Sequence, residues 1–442
     1  MNSRLAWLGG LLGILATSCG GGSSGYATMG MLGSPSSAVV GTNLVFANAA
    51  LNGTPEVQAG LAFGMLIDTG SPVVLIDPSF FNMPGPATNA DITGNINLGL
   101  VDKSGAIVLT LDNIPALKLS DAMMTSLGFG GILGGNVMRQ FSVQLNYADP
   151  MDAFRLGDSG MEPDGVETPG AAIPFTLKSG GTATVALSDK VMSPAVTIPP
   201  TRIALTLNID GTDAAHQFHF LLDTGASEVS VRGSVYDMLI ADGRPQLPGF
   251  QITTVLGGSN AAVTRARTIT IGGETVTNVP VMTIMNAPGD PPDALLDEIG
   301  GELGYQLDGL LGGSFLRNFL VTIDYPHGQL HLQRYATETW VDEFQRVGIG
   351  LGGTPLTSQH YYNAGVVYPG TDAANQGILV GDEIVSIDGT QLDQPLDPIT
   401  ADNLLNGTVG TTKAIGLGMT HAAALTNTTV NVLVDDLIPN PP

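Results

Sequence analysis

The chain has 442 residues, of which 43% are hydrophobic and only 13% charged, with 59 Gly and 28 Pro. That is enough apolar chain for several cores, which excludes disorder throughout, and the density of turn formers favours many short strands. Sixteen Lys and Arg stand against 40 Asp and Glu, a formal charge of -24, which repels a phosphate backbone and argues against a nucleic-acid partner.

The chain begins with a short basic stretch, Met1 to Arg4, followed by twelve apolar residues from Leu5 to Ala16 and then Thr17-Ser18-Cys19. This resembles a bacterial lipoprotein signal. The resemblance implies a signal peptide over 1–18, acylation of Cys19, a flexible tether over 19–37 that includes Gly20 to Gly25, and a lipid anchor in the cell envelope. The soluble body would then face the periplasm or the cell surface. Ala16 stands where such signals usually have Leu, so ordinary secretion with a spare cysteine remains the alternative. Twelve apolar residues are too few to span a hydrocarbon core about 30 Å thick. A single cysteine also rules out an intrachain disulfide and a cysteine-based metal site.

From Tyr26 onward, short β-branched or apolar runs alternate with Gly, Pro, Asn and Asp clusters, which predicts a mainly β protein. Breaks rich in Pro and acidic residues at Asp158 to Gly170 and after Tyr335 divide the chain into units at 38–157, 173–335 and 346–438, with a linker over 158–172. The first two units repeat one another. Gly64 to Asp77 matches His219 to Arg232 at an offset of 155. Gly130 to Tyr147 matches Asp308 to Tyr325 at an offset of 178, with eight identities in eighteen. The 23 extra residues of the second copy are expected in the loop-rich stretch Asn286 to Leu307.

Each copy carries Asp-Thr-Gly after an apolar run: Met65-Leu66-Ile67 before Asp68, and Phe220-Leu221-Leu222 before Asp223. Hydrolysing an amide needs a nucleophilic water, a base and an acid. Two carboxylates held in hydrogen-bond reach supply all of this, because they cannot both ionise cheaply and so share one proton. Gly70 and Gly225 let backbone amides approach the carboxylates. The pattern resembles the pepsin and retropepsin class of aspartic proteases, across roughly Val39 to Tyr335. The resemblance implies a bilobal β fold with catalytic Asp68 and Asp223 and with hydrophobic-hydrophobic-Gly elements at Ile132-Leu133-Gly134 and Leu310-Leu311-Gly312. It also implies that Thr69 and Thr224 bond across to the opposite loop. Ser71 follows the first motif and Ala226 the second, so a Ser71 hydroxyl bonded to Asp68 would favour its ionised form. A covering hairpin is expected at Thr254 to Gly273 around a Gly-Gly-Ser-Asn turn; Ile92 to Leu111 is a poorer match. A polypeptide substrate, no cofactor and no metal are implied. Pairing of the two copies within one chain, in a monomer, is favoured over pairing between chains. Loss of catalysis in a pepsin-like peptide-binding protein is the alternative.

The third unit resembles a PDZ domain of the permuted bacterial type, on Pro369-Gly370-Thr371-Asp372-Ala373-Ala374 and on Gly377 to Gly389 (GILVGDEIVSIDG). The resemblance implies a small α+β domain that recruits a peptide or protein C-terminus. Its carboxylate loop would be Gly348-Ile349-Gly350-Leu351, Asn403 to Leu405 would begin or lie on its groove helix, and Ala374 and Ile378 would be packed. A packing module that recognises nothing is the alternative. Gly348, Gly350 and Gly353 also spell GxGxxG, but no βαβ unit surrounds them.

The six histidines form no convincing metal set. Pro326-His327-Gly328-Gln329 reads as a hairpin turn, so His327 and His331 do not share a helix face. His219 alternates with Leu221 and Asp223 along one strand and is given no role. Ser314 lacks the second glycine of a nucleophile elbow.

Overall fold

The computed structural model describes residues 27–29, 46–51, 64–76, 90–101, 107–119, 130–148, 154–157, 172–178, 181–183, 186–188, 191–192, 196–198, 200–254, 257–283, 293–337, 342–352, 362–392 and 398–441. The segments expected to be a signal peptide and a glycine tether, Cys19 between them, and the 158–170 break lie outside them. No helix among the described residues is long and apolar enough to cross a membrane.

The protein is mainly β. In the first copy of the repeat, β1 (Phe46–Leu51), β2 (Gly64–Ile67), β3 (Val74–Ile76), β4 (Ala90–Val101), β5 (Ile107–Leu119) and β6 (Gly131–Leu133) close a barrel in the order β1-β2-β6-β3-β5-β4. A short helix, α1 (Gly135–Met138), leads into β7 (Ser142–Asn146). The second copy contributes β8 (Arg202–Ile209), β9 (Gln217–Leu222), β10 (Val229–Val231), α2 (Gly233–Ile240), β11 (Leu247–Thr254), β12 (Gly257–Ile271) and β13 (Glu274–Thr283). It continues through α3 (Ala294–Leu303), β14 (Gly309–Leu311), α4 (Gly313–Leu316) and β15 (Phe319–Asp324). All of these strands but β15 form a sheet in the order β8-β9-β14-β10-β13-β12-β11, with Thr176–Lys178 added antiparallel beside β8, and β8 also pairs with β12.

Local sequence explains these strands. In β8, Ile203, Leu205, Leu207 and Ile209 are buried while Thr206 is exposed, the period of two expected of a strand with one dry face. In β9 the exposed start gives way to Phe220-Leu221-Leu222, all buried, so the strand dives into the core before it ends at Asp223.

The same set of pairings occurs twice. β2 runs parallel to β6, from Met65↔Gly131 to Ile67↔Leu133, and β9 runs parallel to β14, from Phe220↔Gly309 to Leu222↔Leu311. β3 lies antiparallel to β6 and parallel to β5, as β10 does to β14 and β13. A six-stranded sheet joins the copies: β7 pairs antiparallel with β15, from Asn146↔Leu320 to Ser142↔Asp324, and Gln144 Nε2 donates to Thr322 Oγ1 at 3.1 Å. A continuous apolar core runs through both copies, including Val143, Leu145, Phe220, Leu222, Val321 and Ile323.

Two expectations about the second copy are corrected. The parallel pairs Val74↔Ala116 and Val229↔Val281 set the offset there at 165. The 23 extra residues are therefore split, 10 before Val281 and 13 after it, rather than all falling in Asn286 to Leu307. Gly257-Gly258-Ser259-Asn260 is not a turn but the start of β12, paired from Thr254↔Gly257 to Gln251↔Asn260. The apolar and β-branched run Phe250 to Thr254 offers it a strand partner, and tertiary pairing outweighs the turn preference of its residues.

The third unit forms a sheet in the order β16 (Gln345–Val347), β21 (Thr429–Asp436), β20 (Thr412–Leu417), β19 (Glu383–Ile387), β18 (Tyr362–Val367) and β17 (Ile349–Gly352). Helices α5 (Asp372–Asn375) and α6 (Pro398–Asn403) flank it, and its own core includes Val347, Ile349, Tyr362, Ile384, Ile415 and Val432. Here too the sequence reading needs correcting. Ile349, Gly350 and Leu351 lie in edge strand β17, with Ile349 and Leu351 buried, and Gly348 accepts from the Tyr368 amide, so the segment is a strand rather than an open loop. Helix α6 ends at Asn403, and Ala373 rather than Ala374 is the buried residue of α5.

This unit is docked on the second copy. Phe344, Tyr368, Leu437 and Ile438 form an apolar cluster with Leu247, Phe250, Ala261, Val263 and Met282 at the base of the β11–β12 hairpin. Buried Arg265 donates to the Ile438 carbonyl at 2.6 Å and to Asp342 at 2.7 Å, and buried Arg317 donates to Glu343 at 3.1 Å.

Candidate active site

Asp68 and Asp223 follow the last residues of β2 and β9, and each backbone amide continues the parallel ladder, Asp68 N–H to the Leu133 carbonyl at 3.2 Å and Asp223 N–H to the Leu311 carbonyl at 3.1 Å. The hydrophobic-hydrophobic-Gly elements thus serve as the strands against which both aspartates are held. Their glycines permit contact with the other side: a Cβ on Gly134 would lie 2.1 Å from the Val73 carbonyl, and one on Gly312 would lie 2.1 Å from the Glu228 carbonyl.

The two loops meet face to face. Thr69 N–H donates to Thr224 Oγ1 at 3.1 Å, and Thr224 N–H donates to Thr69 Oγ1 at 3.1 Å. Each hydroxyl then donates onward at 2.7 Å, Thr69 to the Leu222 carbonyl and Thr224 to the Ile67 carbonyl. Both threonines are fully buried. Gly70 and Gly225 are required by this approach, because a Cβ on Gly70 would come within 2.7 Å of Asp223 Oδ1 and one on Gly225 within 2.5 Å of Asp68 Cγ. Each carboxyl therefore rests over the opposite glycine, which brings the two carboxyls close enough to share a proton.

The pair is electrostatically uneven. Burial raises Asp223 well above the usual carboxylate range, and the charge and hydrogen bond of Asp68 push it further. Burial raises Asp68 too, but its hydrogen bond with Asp223 and the amides of Ser71 and Gly70 act against this. Those amides donate to Asp68 Oδ1 at 3.0 and 2.7 Å, whereas Asp223 Oδ1 accepts from Gly225 N–H at 3.0 Å. The pair holds one proton between them, and the second amide donor on Asp68 favours the charge there. The expected cause is corrected: the Ser71 hydroxyl donates to the Val73 carbonyl at 2.8 Å, so the Ser71 backbone amide, not its side chain, favours the charged form. The Ala226 amide donates instead to the Asp223 carbonyl.

Both aspartates open onto a cavity of about 130 Å³. Leu75, Ile132, Leu221 and Leu310 give it apolar walls, and Leu295, Glu298, Ile299 and Glu302 of α3 close one side. Helix α3 is seated by Leu296 and Ile299, which pack on Leu221, Leu307 and Leu310, and it stops at Gly304, whose φ of 80° suits a left-handed cap. Arg202, at the start of β8, also lines the cavity. Sequence reading missed Arg202 and α3. The spacing of Leu295, Leu296, Ile299 and Leu303 carried a helical signal, whereas Arg202 lies in no motif.

Other candidates fall away from this centre. His219 is exposed and packs at a tilt against Tyr305, with ring centroids 5.0 Å apart. His327 lies in the predicted hairpin turn, 2.7 Å from Asp324 Oδ2, with Gly328 at a φ of 66°. Ser314 accepts from Val229 N–H and donates to the Pro280 carbonyl, a structural role. Among the described residues no group of three or more His, Cys, Asp or Glu side chains is gathered to hold a metal.

The chain matches no curated protein. Residues 205–315, which carry Asp223, the β11–β12 hairpin, α3 and Leu310-Leu311-Gly312, match the family model described as aspartyl protease, and that match supports a protease of the retropepsin type.

Proposed function

We propose that the chain is an aspartic endopeptidase in which two lobes, 38–157 and 173–335, share one dyad. The observation that carries this reading is the facing pair Asp68 and Asp223, each carboxyl against the opposite glycine, braced by Thr69 and Thr224 at the floor of a cavity. Asp68, ionised, takes a proton from a water held between the carboxyls as that water attacks the substrate carbonyl. Asp223, protonated, hydrogen-bonds the carbonyl oxygen as it gains charge, and a proton then passes to the leaving nitrogen. The apolar walls keep the charge poorly solvated and the two acidities apart. Pairing of both loops within one chain favours a monomer.

The β11–β12 hairpin is the candidate cover for an extended polypeptide. In the third unit, read as PDZ-like over 346–438, β17 is an edge strand with α6 against it, an arrangement that suits addition of a peptide strand. Acylation at Cys19 would tether the enzyme to a bacterial envelope membrane, with its body periplasmic or surface-facing.

Cleavage of an unfolded polypeptide between pH 3 and 7 tests this reading. Hydrolysis blocked by a pepstatin-type transition-state analogue supports it. A folded chain that binds peptides but cleaves none at any pH would leave a binding protein instead.

A further inference from the structure

Arg202 is 5% exposed at its side chain, yet it lines the cavity beside Asp68 and Asp223. A buried guanidinium is costly unless its donors are used. Here Nε donates to the Gly70 carbonyl at 3.1 Å, in the first Asp-Thr-Gly loop, and Nη1 pairs with Glu302 on α3. One side chain from the second copy thus ties the catalytic loop of the first copy to the helix that walls the cavity. The titratable groups near the dyad are Arg202 from β8, Glu298 and Glu302 from α3, partly buried Tyr147 just beyond β7 and buried Tyr325 just beyond β15, both tyrosines neutral. Among them Arg202 is the cation, and Glu302 lies at the solvent edge, where its opposing charge is partly screened.

We propose that Arg202 is a positioning residue of the dyad: it fixes the first Asp-Thr-Gly loop against α3 and holds a permanent positive charge beside both aspartates. Resting on the protease reading, this gives Arg202 two tasks. It favours the single negative charge that the dyad must hold to activate water, and it keeps Leu295 and Ile299 at the distance from Asp68 that a substrate side chain fills.

The test compares the full chain with Arg202→Met, Arg202→Lys and Glu302→Gln. Its first readout needs no turnover: the ¹³C carboxyl titration of the dyad, identified by the signals lost in Asp68→Asn and Asp223→Asn. Removing a nearby opposite charge moves a carboxyl titration upward by about one pH unit. Arg202→Met is therefore expected to shift the dyad to higher pH and Glu302→Gln to shift it the other way, while Arg202→Lys, which keeps the charge, stays near the parent. In activity, both limbs of the kcat/KM profile follow the same shifts, and Arg202→Met raises KM as well. Circular dichroism checks folding, and if Arg202→Met does not fold, the downward shift of Glu302→Gln decides. An unmoved dyad titration in folded Arg202→Met or in Glu302→Gln overturns the role of Arg202. A parent chain that cleaves nothing while its titrations move as stated overturns the protease reading and leaves Arg202 in place.

Discussion

Thr69 and Thr224, 155 residues apart, exchange backbone-to-hydroxyl hydrogen bonds at 3.1 Å in both directions. With the onward bonds to the Leu222 and Ile67 carbonyls, four hydrogen bonds are closed in a dry centre, so neither loop can move without orphaning donors of the other.

Removing one hydroxyl should therefore cost more than one ordinary hydrogen bond. Thr69→Val and Thr224→Val are each expected to lower unfolding free energy by about 2–4 kcal/mol, since a buried amide loses its acceptor and a carbonyl its donor. Thr→Ser at either site keeps the hydroxyl and should recover most of it. Urea unfolding of the singles and the double checks this, and the double should cost clearly less than the sum because both changes break one network.

Stability should depend on pH with a sign opposite to that of a paired surface carboxylate. Burial is the main cause that raises Asp223 and Glu228 well above their ordinary values of 3.8 and 4.5, with Asp68 adding to the first and Glu343 to the second. Their folded forms hold protons that the unfolded chain gives up, so stability falls as pH rises from about 4 toward 7. Asp223→Asn and Glu228→Gln stay neutral and escape this loss. Each is expected to melt roughly 2–4 °C above the parent at pH 7, with the gap closing by pH 4. Calorimetry at both pH values decides it, and a gap that widens in acid contradicts the assignment.

How far the molecule was legible in its sequence follows from the range of the forces involved. The Asp-Thr-Gly loops are contiguous motifs present in both copies, so they could be read directly, and the family resemblance they carry implied the hydrophobic-hydrophobic-Gly strands and the threonine exchange. The turn at His327 was readable too, because its residues act locally. Arg202 was not, since its partners Gly70 and Glu302 lie 132 and 100 residues away and no pattern surrounds it. The Gly-Gly-Ser-Asn stretch was misread because its strand partner, not its own preference, decides its conformation. The Ser71 hydroxyl was misassigned because the Val73 carbonyl, two residues on, is closer to hand than the carboxylate.

The third unit should behave as part of the second copy rather than as a bead on a tether. Buried Arg265 joins the Ile438 and Asn278 carbonyls and Asp342. Arg265→Met strands the Asp342 carboxylate and should cost about 3–5 kcal/mol. The same change should open the junction between residues 335 and 345 to limited proteolysis, releasing a C-terminal fragment. A parent-like digestion pattern would mean that the apolar contact of Phe344, Leu437 and Ile438 suffices alone.

The central claim is that Asp68 and Asp223 of one chain form a single dyad. Its most direct test is the rate of polypeptide cleavage by Asp68→Asn, by Asp223→Asn and by an equimolar mixture of the two. Each variant alone is expected to lose at least a thousandfold in kcat/KM, on the order of 4 kcal/mol of transition-state stabilisation, and the mixture is expected to stay as inactive as its parts. Activity surviving in either variant, or returning on mixing, would contradict it.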